Sequence, residues 1–120
     1  MFPPSPKVEP EKATREPEDD APRTLPEISP GTVFTGTLLR EVREAQRVSL
    51  RDVSQKTKIG LQYLKAIEED DFARLPAVVY TSGFVSEFAK CLKLDPQHVS
   101  RTYVRRFKRY LEDKERGLSR

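Results

Sequence analysis

Residues 49–71 read SLRDVSQKTKIGLQYLKAIEEDD, the most informative stretch of the chain for the fold. It opens with Ser49 and Asp52 in the S-x-x-D capping-box spacing, in which a hydroxyl and a carboxylate satisfy the first backbone N–H groups of a helix. A short helix is therefore predicted to follow Ser49. After the turn at 57–60, apolar residues at helical spacing between Leu61 and Ile67 predict another short helix. Two short helices joined this tightly form a helix-turn-helix motif.

Three more helices are predicted, one before this motif and two after it. Upstream, an apolar stripe with charged residues on the opposite face predicts a helix over about 36–46. Downstream, the most apolar stretch of the chain predicts a helix that starts at Val78 or Tyr80 and ends near Leu92. Asp95 followed by Pro96 is an N-cap with proline at the first helical position, which predicts a last helix. The fold class expected is all-α with five helices.

Composition divides the chain at about residue 32. Eight of the ten prolines lie in the first thirty residues, and the mean hydropathy of the whole chain is -0.68. Residues 1–32 hold too little apolar surface to offset the entropy lost on ordering, so we predict a disordered proline-rich tail or linker there. The helix-turn-helix domain is predicted to occupy residues 33–115, with a flexible C-terminus at 116–120.

The chain has too few cysteine and histidine side chains for most metal sites and catalytic centres. One cysteine and one histidine leave no metal-ligand set and no nucleophilic triad. We expect no enzyme, no cofactor, no metal and no small-molecule substrate. Cys91 is predicted to be a small core residue and His98 an exposed helix residue. No apolar run approaches the ~20 residues that span a bilayer and no signal peptide is recognised, so a cytoplasmic location is expected.

The net charge of +3 hides an uneven distribution. Residues 1–34 are net acidic and residues 35–100 nearly neutral, whereas residues 101–120 hold eight basic and three acidic side chains. The basic patch of the last helix consists of Arg105, Arg106, Lys108 and Arg109. Val99 and Tyr103 are expected to pack on the domain while the basic side chains stay outside. Such a helix suits an anionic membrane surface, nucleic-acid phosphate or an acidic partner.

A DNA-reading helix-turn-helix places its second helix in the major groove. The contacting side chains would be Gln62, Tyr63 and Lys65, with Lys58 on a phosphate. Four consecutive acids at 68–71 and the nearly neutral charge of residues 35–100 offer little phosphate neutralisation. DNA binding is therefore expected to be weak. For the second helix of the motif, a purely structural role in packing has about the same weight as DNA contact.

One family shares these motifs closely. They are LRE at 39–41, SLRDVS at 49–54, KTKI at 56–59, YLKAIEEDDF at 63–72, LP at 75–76 and VYTSGFV at 79–85. Over residues 38–99 the sequence resembles the cytoplasmic helix-turn-helix domain of the RodZ family of bacterial cell-shape proteins. The resemblance implies a five-helix fold of the lambda-repressor type. It also implies binding to the actin-like filament protein MreB, instead of or in addition to DNA.

The resemblance carries a partner-binding role onto Tyr80 and Phe84. These aromatic residues are four apart and share one helical face, next to Gly83, which permits close backbone approach. Apolar side chains cover more of this helix than one small core can bury, so we expect at least one of the two to be exposed. The alternative is that both are core aromatics, as expected for Phe88.

Two functions from different classes follow. The first is a non-enzymatic RodZ-like adaptor that binds a protein partner, an actin-like MreB filament, in cell shape or polarity. The alternative is a sequence-specific DNA-binding transcriptional regulator of the Cro/CI type. A third hypothesis is a peripheral membrane element formed by the last helix. RodZ proteins continue through a basic stretch to a membrane span, which would add membrane association if this chain is a fragment.

Overall fold

A computed structural model describes residues 26–117 of the chain. Its helices are α1 (Gly36–Ala45), α2 (Leu50–Thr57), α3 (Leu61–Glu68), α4 (Val78–Cys91) and α5 (Pro96–Glu115), with a 3-10 turn at Phe72–Arg74. No strand occurs within the described range, so the all-α, five-helix prediction is confirmed. Most of the predicted tail, up to residue 25, and the last three residues of the predicted flexible C-terminus lie outside the described residues.

Side-chain caps are present at the starts of α2 and α5, where the sequence predicted them. The Ser49 hydroxyl accepts a 3.0 Å hydrogen bond from the Asp52 N–H, and the Asp52 carboxylate accepts one from the Ser49 N–H, so the capping box is present. The Asp95 carboxylate accepts from the backbone N–H of Gln97 at 3.0 Å, ahead of the α5 helix that begins at Pro96. These polar side chains satisfy donors that a helix start leaves unpaired.

The core is one cluster to which all five helices contribute. Phe88, predicted as a core aromatic, is fully buried. The other members are Phe34, Leu39, Val42, Val53, Ile59, Leu64, Ile67, Val85, Ala89, Leu92, Val99 and Tyr103. α4 and α5 form the most extensive helix pair, so the two longest helices support the shorter helices of the motif.

The prediction that His98 is exposed is wrong. Its side chain is only 9% exposed, and its Nε2 lies 2.7 Å from the Thr32 carbonyl oxygen. Phe34 places its ring edge-on to the imidazole, and its N–H donates to the Thr102 hydroxyl at 3.0 Å. The segment before α1 therefore crosses α5 and covers His98.

Two further expectations need correction. Arg106, predicted to stay outside, donates to both carboxylate oxygens of Asp70 at 2.9 and 3.1 Å and lies over the rings of Phe72 and Tyr103. Its charge is used inside the fold because Asp70 follows α3 and faces α5. Cys91 is half-buried and packs at the edge of the core, since it is the last residue of α4.

Candidate functional site

The most exposed large apolar side chains of the described residues are neighbours in the first turn of α4. Val79 is 72% exposed and Tyr80 is 63% exposed. Gly83 lies one turn further along, is exposed, and has nothing within 4 Å of the position that a Cβ atom would take. We call Val79, Tyr80, Gly83 and Phe84 the α4 surface. This surface offers an aromatic ring, an aliphatic side chain and a stretch of bare backbone to a partner.

The start of α4 is held in place without an N-cap side chain. Ala77 occupies the cap position, and no side chain bonds to the first N–H groups. Instead the buried Thr81 hydroxyl donates to the Pro76 carbonyl at 2.9 Å, which ties the first turn to the preceding loop. Proline before the helix also limits the conformations of this loop. The side chains of Val79 and Tyr80 therefore project from an anchored helix end.

Tyr80 and Phe84 differ in their surroundings, although they share a helix face. Phe84 is half-buried, and its ring lies 5.4 Å from the Tyr63 ring, centroid to centroid, at a tilt of 35°. Tyr63, predicted to contact DNA, is thereby held against α4. Tyr80 is the exposed member of the predicted pair, whereas Phe84 forms part of the wall between α3 and α4.

The other predicted DNA-contacting residues lie exposed on the motif. Gln62 and Lys65 are exposed on α3. The Gln62 amide folds back over Gly60, because a Cβ atom built on Gly60 would lie 2.7 Å from Gln62 Oε1. Lys58 is exposed at the end of α2, where its backbone is left-handed with a φ of 64°. The motif thus presents an exposed amide and an exposed amine on α3, and a second exposed amine at the end of α2.

The acidic run at 68–71 has a structural role that the sequence analysis missed. Glu68 is only 4% exposed and accepts from Arg43 Nε at 2.6 Å and from Arg43 Nη2 at 3.1 Å. This hydrogen bond raises the pKa of Arg43 above its usual value. Asp71 pairs with Arg74 at 3.2 Å, and the Asp70 pair with Arg106 adds a third neutralised acid. Glu68 and Asp70 therefore connect helices, and Asp71 is paired within the adjacent 3-10 turn, so three of the four acids are engaged in ion pairs.

Burial and charge also act together on Tyr103. Its hydroxyl donates to the Ile67 carbonyl at 2.8 Å in the core. Burial, followed by the nearby negative charge of Asp70, raises the pKa of Tyr103 far above that of a free tyrosine. This hydroxyl is a structural donor between α5 and α3, because no solvent reaches it to support ionisation.

The predicted basic patch lies on α5, but Arg106 is engaged in an ion pair and is not part of the exposed patch. Arg105, Lys108 and Arg109 are exposed, and Arg106 is the residue held by Asp70. With Arg101, the exposed cations line an open groove of about 960 Å³ between α5, the start of α4 and the 3-10 turn. We call this the α5 groove. It shares no residue with the α4 surface, and α4 contributes only Ser82 to it.

Neither a metal site nor a membrane span is found in the described part of the chain. Within residues 26–117, no group of three or more His, Cys, Asp or Glu side chains could hold a metal ion. In the same range, no helix combines the length and the apolar character needed to cross a bilayer.

The helix pair, its capping and its place on a five-helix core define a helix-turn-helix module. The sequence profile of a family described as "Helix-turn-helix domain" matches residues 38–99, and the chain belongs to this family. Over 68 residues the chain is 41% identical to the cytoskeleton protein RodZ of Streptococcus pneumoniae (strain ATCC BAA-255 / R6). The predicted RodZ-like character of the domain is confirmed.

A second relative is more distant. It is described as an uncharacterized protein of Haemophilus influenzae (strain ATCC 51907 / DSM 11121 / KW20 / Rd) and is 33% identical over 75 residues. The matches cover 57% and 61% of this chain but only 25% and 23% of the two relatives. The chain therefore corresponds to about a quarter of each relative. No solved structure matches it.

Proposed function

We propose that this domain is a protein-interaction adaptor whose α4 surface binds an actin-like filament of the MreB type. The observation that carries the proposal is the exposure of Tyr80, together with Val79, on an anchored helix end. Exposed aromatic side chains beside open backbone are frequent centres of binding energy in interfaces. The kinship with a cytoskeleton protein supports the same assignment.

The chemistry of the α4 surface predicts the kind of interface. Its four residues, Val79, Tyr80, Gly83 and Phe84, carry no charge. The nearest acid along the helix, Glu87, pairs with Lys90 at 3.2 Å. Burial of uncharged surface depends little on ionic strength, whereas exposed charge pairs are screened within about 10 Å at 0.1 M salt. Filament binding through this surface should therefore survive added salt.

Co-sedimentation with polymerised MreB, measured beside urea unfolding, tests the proposal. Tyr80→Ala should lower filament affinity by about 2 kcal/mol or more while the free energy of unfolding changes by less than about 1 kcal/mol. Phe88→Ala is the core control and should lose about 3–5 kcal/mol of stability. Full filament binding by a stably folded Tyr80→Ala protein would refute the assignment.

DNA binding is the second candidate, and one observation favours it. The amines of Lys58 and Lys65 are exposed on the motif, and three of the four neighbouring acids are engaged in ion pairs. The local repulsion of phosphate is thus smaller than the sequence implied. We still expect weak, strongly salt-dependent binding, because few cations face the duplex.

Titration of labelled duplex DNA at two salt concentrations separates the candidates. Replacing Arg105, Lys108 and Arg109 by alanine should remove the weak binding, since these three exposed cations lie within five residues of α5 and form its basic patch. Arg106 is left intact in this variant because it holds Asp70. If Gln62→Ala and Lys65→Ala instead abolished a tight, sequence-specific complex, the regulator hypothesis would replace the adaptor hypothesis.

A further inference from the structure

The α5 groove combines a basic rim with an apolar floor. Arg101, Arg105 and Lys108 follow one another at spacings of four and three residues, so they project from one side of α5. Val104 lies between them and is almost fully buried, which leaves a depression along the helix. Phe72 and Tyr110, whose ring centroids are 5.4 Å apart, close one end.

The charges of the groove are largely unbalanced. Among the described residues, none forms an ion pair with Arg101, Arg105, Lys108 or Arg109. Two acids also line it. Glu112 is exposed, and Asp113 is already paired with Arg116 at 2.7 Å. Arg106 is neutralised by Asp70. A net positive groove of this shape suits a short acidic peptide better than a flat anionic surface, because only a peptide can enter the depression.

The chain itself contains one such peptide. Residues 16–20 read EPEDD, four carboxylates in five positions, and lie outside the described part of the structure. The described chain begins at Pro26, which adjoins Leu92 and Leu94 just ahead of α5. The six residues from Asp20 to Pro26 can span up to about 20 Å, and α5 rises about 8 Å from its start at Pro96 to Arg101 and about 18 Å to Lys108. The acidic segment is therefore long enough to reach the groove.

We infer that the α5 groove is a docking site for the acidic segment 16–20 of the same chain. Each exposed ion pair is weak, but the tether holds the segment at an effective concentration on the order of millimolar. Docking is thus reversible and sensitive to salt. It occupies the cations that would otherwise bind nucleic-acid phosphate or anionic lipid, and it leaves the α4 surface free.

Zero-length carbodiimide coupling of the intact chain tests this inference, because it joins a carboxylate to a lysine amine only when the two are in contact. Lys108 is the lysine of the groove. Peptide mass spectrometry should find the carboxylates of residues 16–20 linked mainly to Lys108 in monomeric protein. Lys56 and Lys93 are the reference lysines, since they lie beside Pro26, the first described residue, and are therefore close to the attachment point of the acidic segment. The preference for Lys108 should be lost near 1 M salt, where the screening length is about 3 Å.

Variants with the same net charge distinguish docking of the acidic segment in the α5 groove from a general attraction between opposite charges. Glu18→Gln, Asp19→Asn and Asp20→Asn together should remove the link, whereas Glu9→Gln, Glu11→Gln and Glu27→Gln change the net charge equally and should leave it. Arg101→Gln with Arg105→Gln should weaken the link. The control pair Arg40→Gln with Arg51→Gln, exposed on α1 and α2, should not. The inference is overturned if Lys56 and Lys93 are linked as readily as Lys108, or if the Lys108 link appears only in dimers.

Discussion

The rings of Tyr63 and Phe84 lie 5.4 Å apart, centroid to centroid, and join the second helix of the motif to α4. Because of this contact, the two aromatic residues predicted to bind a partner, Tyr80 and Phe84, have different surroundings. Phe84 is fixed by a neighbour within the domain, and Tyr80 remains 63% exposed. The same face of α4 therefore serves packing at one position and is open to a partner at the other.

A double-mutant cycle measures the contact between Tyr63 and Phe84. We expect the two alanine substitutions to be non-additive in urea unfolding, with a coupling of about 0.5–1.5 kcal/mol beyond their separate effects. Tyr80→Ala paired with Tyr63→Ala is the control and should be additive. Additivity in the Tyr63 and Phe84 cycle would show that the rings do not support one another.

The two glycines at positions 36 and 83 should respond oppositely to alanine. A Cβ atom on Gly36 would collide with the backbone carbonyl groups of Ile67 and Glu68, whereas one on Gly83 meets nothing within 4 Å. Gly36→Ala should therefore cost about 1–3 kcal/mol, because backbone must shift. Gly83→Ala should gain about 0.5–1 kcal/mol from helix propensity. Thermal unfolding of both variants checks the difference, and a stabilised Gly36→Ala protein would contradict the close packing of α1 on α3.

Breaking the ion pair between Arg43 and Glu68 should destabilise the fold strongly. Arg43 also donates to the Val48 carbonyl at 2.9 Å, so this one guanidinium ties α3 to the loop after α1. Glu68→Ala leaves that largely buried cation with only a 3.9 Å contact to the exposed carboxylate of Glu44 and should cost about 3 kcal/mol in urea unfolding. Glu87→Ala, which breaks the exposed pair with Lys90, is the matched control and should change stability by less than about 1 kcal/mol. Equal effects would mean that burial adds nothing to the Arg43 pair.

Alkaline pH should lower stability through Tyr103. Its pKa is raised by burial, so the unfolded chain ionises at about pH 10 while the native chain keeps the proton. The resulting stabilisation is complete below about pH 10 and falls as the pH rises beyond that value. Tyr103→Phe removes the hydrogen bond to the Ile67 carbonyl, should cost about 1 kcal/mol near neutral pH, and should flatten this fall. An unchanged slope between pH 9 and 11 would refute the role of Tyr103.

Capping motifs and apolar spacing predicted the helices well, because each of these patterns depends only on residues that are close in sequence. The capping box at Ser49 and the Asp95-Pro96 start form within a single turn, and both are observed. The errors arose where distant segments meet. His98 is covered by Thr32 and Phe34, and these contacts span more than sixty positions.

The candidate sites could be predicted only in part, for the same physical reason. Spacing placed Tyr80 and Phe84 on one face, but only the packing of α3 on α4 buries Phe84 against Tyr63. The acidic run looked like free charge, since sequence does not show that Arg43 and Arg106 reach it from α1 and α5. The partner-binding role of Tyr80 and Phe84 remains a prediction.

Filament co-sedimentation of Gly83→Gln tests whether the α4 surface binds the filament. The side chain extends into open space on the α4 surface, adds no charge and favours the helix, so it leaves the fold intact. We expect the free energy of unfolding of this variant to be at least that of the parent chain, and we expect that it no longer sediments with polymerised MreB. Binding equal to that of the parent, by a variant of undiminished stability, would contradict the assignment of the α4 surface as the filament-binding site.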